Sequence, residues 1–346
     1  LIPARYARED LQALASAAVG TGPFRLVSSE PDRLIAVERN PDYYDPERPY
    51  VDRVELHVFP DGTAETSALM SGDMDLIAAI QPADYLRLDG ASGVDMLRVP
   101  SGQFCNVNMN CQSAPFSDMR VRQALALCVD RETMVQFVTE GFGSVGNDTP
   151  LNDAYYYFDP DLPQKGPDID RAKALLAEAG HPDGLELTLI ASENPPARAQ
   201  MAVALREMAK PAGFTINVRT MPHATYLDQV WNKGDFYIGL YNMQPHADGI
   251  FTLLYTSDAA WNETKWNNAG FDALITKARQ TADEATRRGL YGEAQAMMNA
   301  EVPSIIPCFF DIIAAKRSWV QGFEAHPRGA IFMLDRVWLS PDAPRK

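Results

Sequence analysis

Cysteine is scarce in this chain and poorly spaced for chemistry. Cys105, Cys111, Cys128 and Cys308 form no CxxC pair and no zinc-like array, so no metal site is expected from them. Histidine is almost as scarce. His57, His181, His223, His246 and His326 are scattered, without HExxH or any i, i+4 pair, which removes the usual helical metal platform. No GxSxG is present, so a nucleophile elbow is not expected either. No run of about 18 apolar residues occurs, and nothing here is expected to span a bilayer as a helix. Basic residues are in deficit, 31 Lys and Arg against 46 Asp and Glu, for a net charge of −15 with no basic block. That balance argues against a nucleic-acid partner, because neutralising phosphates needs a basic face. Neither a catalytic apparatus nor a cofactor or metal is expected.

What the chain does have is enough apolar material, 46% of 346 residues, to fill two lobes rather than one core. The densest run of local signals is Asn108–Arg131. Pro115 ends an extended segment, Ser117 or Asp118 offers an N-cap, and Val121, Ala124, Leu125 and Cys128 recur at helical spacing. Asp130 repeats the capping chemistry for a second helix that stops near Gly141.

Upstream, residues 4–18 read as a short helix broken by Gly20-Thr21-Gly22-Pro23, and a hairpin follows around the turn Ser28–Asp32. Val54, Leu56 and Val58, the helix Ala64–Ser71 and the stretch Met74–Ile80 read as a right-handed βαβ unit, with Asp73 and Asp75 in turn and cap roles. Downstream, Gly141, Gly143 and Gly146 follow a helix instead of a strand, so they read as a loop and not as a dinucleotide fingerprint. Tyr155, Tyr156, Tyr157 and Phe158 either line a ligand cleft or pack their loop down. Asp170 is expected to cap a helix ending at Ala179-Gly180. Leu185–Leu189, Met201–Met208 and Phe214–Val218 make a clear βαβ unit with a parallel strand pair. Residues 235–242 read as a buried strand. Helices near Phe271–Ala282 and Glu284–Ala300 and a last strand at Ile305–Phe310 close the chain. For the cysteines two readings stand, a Cys105–Cys308 bond between neighbouring strands or buried free thiols, and the burial habit of cysteine favours the second.

The order P-F-x-D-x-R-V-R-Q-A-L at Pro115–Leu125, then Asp130-Arg131, resembles the signature of family 5 bacterial extracellular solute-binding proteins, the peptide, opine and nickel receptors of ABC importers. Gly20–Phe24, Asn40–Tyr44, L-x-x-G-x-x-D at Leu69–Asp75, A-x-x-L-L-x-E-A-G at Ala172–Gly180, N-x-x-F-D-x-L at Asn268–Leu274, R-x-x-L-Y at Arg287–Tyr291 and E-x-P at Glu301–Pro303 are similar to further family strings in the family's order. Arg120 and Arg122 are expected to fix their helix against carboxylates and carbonyls instead of touching ligand. Leu1-Ile2-Pro3 resembles a segment well inside family members, so an N-terminal portion is expected to be missing.

The resemblance implies an α/β fold like that of type II periplasmic binding proteins, with the N-terminal part of the family fold absent. Residues 1–104 and 311–346 would form one partial lobe and 105–310 a C-terminal α/β lobe. Linker strands at Phe104–Asn108 and Cys308–Ile312 would close the lobes on a small polar solute, peptide-like, opine or cationic, for delivery to ABC permease membrane subunits. The protein would be periplasmic or otherwise extracytoplasmic, and not an enzyme. An α/β hydrolase, or a sensor or peptide chaperone without a transport role, is the alternative.

The resemblance also implies a site at the strand-to-loop transition Tyr241–Phe251. Tyr241 and Asp248 lead the expected ligand contacts, with Asn242 and Met243 beside them. Met243 stands where peptide-binding relatives hold an amine-binding carboxylate. Glu193 and Asn194 stand where dipeptide-binding relatives place an arginine against the peptide carboxylate, which disfavours a free dipeptide. Trp261 and Trp266 either stack on ligand or belong to the core, and His246 is expected as a polar wall or surface residue and not a metal ligand.

Overall fold

The computed structural model describes residues 20–329 and 333–344, so the helix expected over residues 4–18 lies outside the described residues. The chain divides into two compact units, one made of residues up to Val99 and from Ile312 onward, the other of Pro100–Asp311. The chain passes between them inside two strands.

In the first unit, β1 (Phe24–Glu30), β2 (Leu34–Arg39) and β3 (Arg53–His57) form an antiparallel sheet. After α1 (Gly62–Ser71), the short β4 (Leu76–Ile77) pairs antiparallel with the far part of β11 (Cys308–Arg317), Ile77 opposite Ala315. The βαβ unit expected here is therefore overturned. β2 pairs β3 along its length, β4 is in another sheet, and strand alternation cannot show which partner a strand takes. Asp61 caps α1 by accepting from the Ala64 amide at 2.9 Å, and Gly72 ends it at φ +85°, a left-handed turn that glycine adopts without strain. The helix α2 (Pro82–Leu88) leads into the long β5 (Val94–Met109), and the unit closes with β12 (Val320–Gln321) against β13 (Trp338–Leu339).

The second unit holds β6 (Gly143–Val145), β7 (Leu185–Ser192), β8 (Phe214–Met221), β9 (Phe236–Tyr241) and β10 (Ser304–Ile305), together with the inner parts of β5 and β11. β10 and β9 flank β5 antiparallel; β7 and β8 then continue parallel to β9. The helices are α3 (Met119–Ala126), α4 (Arg131–Val138), α5 (Ile169–Glu178), α6 (Pro196–Ala209), α7 (His223–Gln229), α8 (Ala247–Leu254), α9 (Ala269–Gln280) and α10 (Glu284–Glu301). Three expectations shift. Asp168, not Asp170, caps α5 through the Arg171 amide at 2.9 Å, one residue ahead of the first helical position. The glycine loop holds β6, because β11 offers it a free edge opposite Gly143–Val145. The last strand is two, β10 and the longer β11, separated at Ile306-Pro307.

One core lies under α3–α6 and contains Cys105, Val107, Met109, Leu189, Leu205, Phe214 and Ile238, all sealed from solvent or nearly so. A second lies under α8–α10 with Phe104, Tyr255, Phe271, Tyr291 and Met298. Between α4 and α10, Asp148 is fully buried and accepts from Arg131 at 2.6 Å and Lys165 at 2.9 Å. Burial would raise its carboxyl, but the two cations outweigh that and hold it below the usual carboxylate range. All four cysteines are free thiols.

Candidate functional site

Parallel β7, β8 and β9 end at Ser192, Met221 and Tyr241, so their carboxyl ends share one edge of the sheet, the edge at which open α/β sheets hold ligands. The two faces of β5 and β9 then divide the labour. Alternation sends Cys105, Val107 and Met109, with Phe236 and Ile238, into the main core. The register puts Phe104 opposite Tyr241, Asn106 opposite Gly239 and Asn108 opposite Tyr237 on the other face.

Glu263 settles onto that second face, 3% exposed. The Tyr237 hydroxyl donates to its Oε1 at 2.9 Å and the Asn108 amide to its Oε2 at 2.9 Å, while Asn106 donates to Asn108 at 2.7 Å. Gly239 makes room for this layer. A Cβ there would stand 2.7 Å from the Asn108 amide nitrogen and 3.1 Å from Glu263 Oε2. Burial pushes the Glu263 carboxyl up to about 7, against the opposing pull of hydrogen bonds from Tyr237, Tyr241 and Asn108 and, more weakly, the charge of Arg198. Burial also raises the Tyr241 phenol, with the Glu263 charge adding to it. Trp231 Nε1 donates to the Tyr241 hydroxyl at 3.2 Å, and Trp261 stands edge-to-face with Trp231 at 5.4 Å and tilted to Tyr241 at 6.3 Å. The result is an aromatic corner with a carboxyl group behind it.

A second polar group gathers at the ends of β7 and β8. His223 Nδ1 lies 2.9 Å from Ser192 Oγ and 3.3 Å from Arg198 Nη1. A guanidinium only donates, so Nδ1 is an acceptor and the imidazole is neutral. Burial, and then the Arg198 charge, lower the His223 pKa, which agrees with that protonation state. Arg198 is buried, stacks over Tyr226 at 5.1 Å, and leaves its Nε without a hydrogen bond.

Of the expected contacts, Tyr241, Asn242, Met243 and Glu193 stand at or just beyond this strand edge, and Trp261 packs on Tyr241. Asn242 is exposed and accepts from Gln103 at 2.5 Å; Met243 is buried; Glu193 is exposed and its amide donates to the Met221 carbonyl at 3.0 Å. The other three are committed elsewhere. Trp266 is buried against Phe271 and donates to Glu301 at 2.8 Å. His246 caps α8 by accepting from the Gly249 amide at 3.0 Å, and Asp248 pairs with Arg279 at 3.0 Å. Glu263, Trp231, Arg198, His223 and Ser192 were not anticipated. The alternation of Asn106 and Asn108 with Cys105, Val107 and Met109 was a readable sign of a polar layer facing one side of a buried strand. In the aromatic run, Tyr155 is buried and its hydroxyl accepts from the Gln244 amide at 2.9 Å, whereas Tyr156 is exposed. A cavity of about 630 Å³ in the first unit, lined by Arg48, Tyr50, Arg336 and Trp338, is remote in sequence from all of these. Among the described residues no cluster of three or more His, Cys, Asp or Glu could hold a metal ion.

The family model described as bacterial extracellular solute-binding proteins, family 5 Middle, matches residues 2–265. The chain is 28% identical over 341 residues to heme-binding protein A of Haemophilus influenzae, an overlap covering 94% of this chain and 62% of that protein. It is 26% identical over 322 residues to the dipeptide-binding protein of Escherichia coli, covering 90% of this chain and 59% of that one. The chain thus spans about three fifths of the length of these curated relatives. Among solved structures, the ABC transporter substrate binding protein CtaP from Listeria monocytogenes matches with a TM-score of 0.84 at 22% identity, over 98% of this chain and 71% of that one. The oligopeptide-binding protein AppA from Bacillus subtilis, in complex with a nonapeptide, matches with a TM-score of 0.83 at 22% identity, over 98% and 72%.

Proposed function

Because the chain belongs to the bacterial extracellular solute-binding proteins of family 5, we propose that it is the ligand-holding part of an ABC importer's receptor, and that it takes a small polar solute, peptide-like or opine-like, at the β7–β9 strand edge. The observation that carries this reading is the aromatic corner of Tyr241, Trp231 and Trp261 at the carboxyl end of β9. Aromatic faces supply contact area at low entropic cost, and the exposed Asn242 and Glu193 and the half-buried Gln103 supply polar handles around them. Permease subunits are the expected partners and the extracytoplasmic face the expected location. No helix among the described residues is long and apolar enough to cross a membrane.

The hydrolase alternative has one observation in its favour, the 2.9 Å approach of Ser192 Oγ to His223. The chemistry runs against it. A general base takes the serine proton on one ring nitrogen while an acid holds the other. Here the nitrogen facing Ser192 also faces the Arg198 guanidinium, which lowers its basicity, and Ser192 is wholly buried. A thermal-shift panel of peptides, opines, sugars and nickel complexes, with mass spectrometry of each mixture, tests the proposal. A solute that raises the melting temperature and is recovered intact supports the receptor. Turnover of any panel member, or no shift from any, counts against it.

A further inference from the structure

We propose that the corner formed by Tyr241, Trp231 and Trp261, backed by Glu263, receives a quaternary ammonium group of the ligand. This rests on the receptor reading and specifies the ligand's head group. Three ring systems meet there within 5.4 and 6.3 Å, and Trp261 keeps 40% of its surface exposed, so a ring face is available to an incoming group. The faces of indole and phenol rings are negative and attract cations. Behind them, Tyr237 and Asn108 hold Glu263 3% exposed, so the carboxyl group stands on the buried side of the corner, where its charge acts on the Tyr241 phenol.

The head group's identity follows from the acceptors at the corner. Glu263 already accepts from Tyr237 and Asn108, and the Asn242 side-chain oxygen already accepts from Gln103. A primary ammonium brings three N–H donors that need acceptors within reach, and Glu263, 3% exposed and already accepting at both oxygens, lies behind the rings, whereas a fully alkylated ammonium needs no acceptor. The charged and titratable groups around Glu263 are Tyr237 and Tyr241 on β9, Tyr255 after α8, and Arg198 on α6. Of these only Arg198 is a cation, and it is turned onto the Tyr226 ring and His223. Glu263 near neutrality also makes the site proton-linked, because a cation arriving at the corner favours the ionised carboxylate.

Choline, its uncharged carbon isostere dimethylbutanol, and ethanolamine are suitable probes, followed through tryptophan fluorescence and calorimetry on the full chain. Choline is expected to bind about tenfold more tightly than either comparator, and to release protons near pH 7, seen as a dependence of binding heat on the ionisation heat of the buffer. Glu263→Gln should remove the proton release and most of the preference for choline while leaving dimethylbutanol unchanged. Trp261→Leu should abolish choline binding, and Trp261→Phe should retain part of it. Equal affinities for the three probes in the wild-type chain would overturn the proposal, as would an unchanged preference in both Glu263→Gln and Trp261→Leu. If choline does not bind but a peptide or opine of the thermal-shift panel does, this inference falls and the receptor reading stands. If nothing binds, both fall.

Discussion

A carboxyl group that titrates near 7 in the folded chain and near 4.5 when free ties folding to pH, and Glu263 is such a group. As pH rises between those values the unfolded chain sheds its proton first. The stability that goes with a neutral Glu263 is therefore whole below about pH 4.5, is lost up to about pH 7 and changes little above it. The loss is about 3 kcal/mol, and urea unfolding of wild type and Glu263→Gln across that window should show the two diverging by this amount. Parallel curves would mean that the carboxyl is ionised throughout. Asp148 behaves in the opposite sense, since Arg131 and Lys165 hold it ionised. Replacing it with alanine strands Arg131, whose side chain is 2% exposed, without its carboxylate, and is expected to cost about 3–5 kcal/mol by chemical denaturation.

The helices and strands give the family strings a physical meaning. In P-F-x-D-x-R-V-R, Asp118 caps α3 through the Arg120 amide at 2.9 Å, while Arg122 is buried and donates to the carbonyls of Phe116, Glu301 and Val302. Arg120 grips Asp118 and the Glu178 carbonyl. In N-x-x-F-D-x-L, Asn268 caps α9 by accepting from the Gly270 and Phe271 amides, Phe271 fills the core, and Asp272 accepts from the Ser257 amide. Glu301 of E-x-P ties this to α10 through Asn268 and Trp266. Asn268→Ala removes the cap and the tie, and thermal melts should register a loss of about 2 kcal/mol. On β9, Gly239→Ala forces a methyl group into the Asn106, Asn108 and Glu263 layer. It is expected to cost about 1–3 kcal/mol and to shift the fluorescence of Trp231 and Trp261 through Tyr241. A variant matching wild type in both would show that the layer has slack.

Taken over the described chain, the free thiols report how the fold as a whole opens. Burial raises Cys105 and Cys128 to about 12, Cys111 to about 11, and Cys308 further still. Thiolate is the reactive form, so alkylation of the native protein should be slow at all four, least slow at the partly exposed Cys111, and complete only in denaturant. Rapid native labelling of Cys105 or Cys308 would reveal opening of β5 or β11 short of global unfolding.

Much of this was legible beforehand. Helices α3 to α6 and the parallel β7–β8 pair follow from apolar periodicity, joined for α3 and α4 by the capping residues Asp118 and Asp130, all of it local, and the ordered family strings pointed to the family. The strands that end near Tyr241 and Glu193 were legible too, because the apolar run over 235–242 and the alternation of Leu185–Leu189 stop there, whereas a site at their ends was implied only by the resemblance. What stayed hidden depends on partners distant along the chain. Whether β3 and β4 share a sheet is decided by which strand lies alongside. Trp266 is core and Trp261 is at the corner because one faces Phe271 and Glu301 and the other Trp231, although they are five positions apart. Glu263 sits between them with nothing in its neighbourhood to mark it, and becomes a near-neutral acid only when Tyr237, Asn108 and the absent side chain of Gly239 close over it. Periodicity and capping fix the elements, but a pKa depends on which groups share a dry space, and only the folded chain brings those groups together.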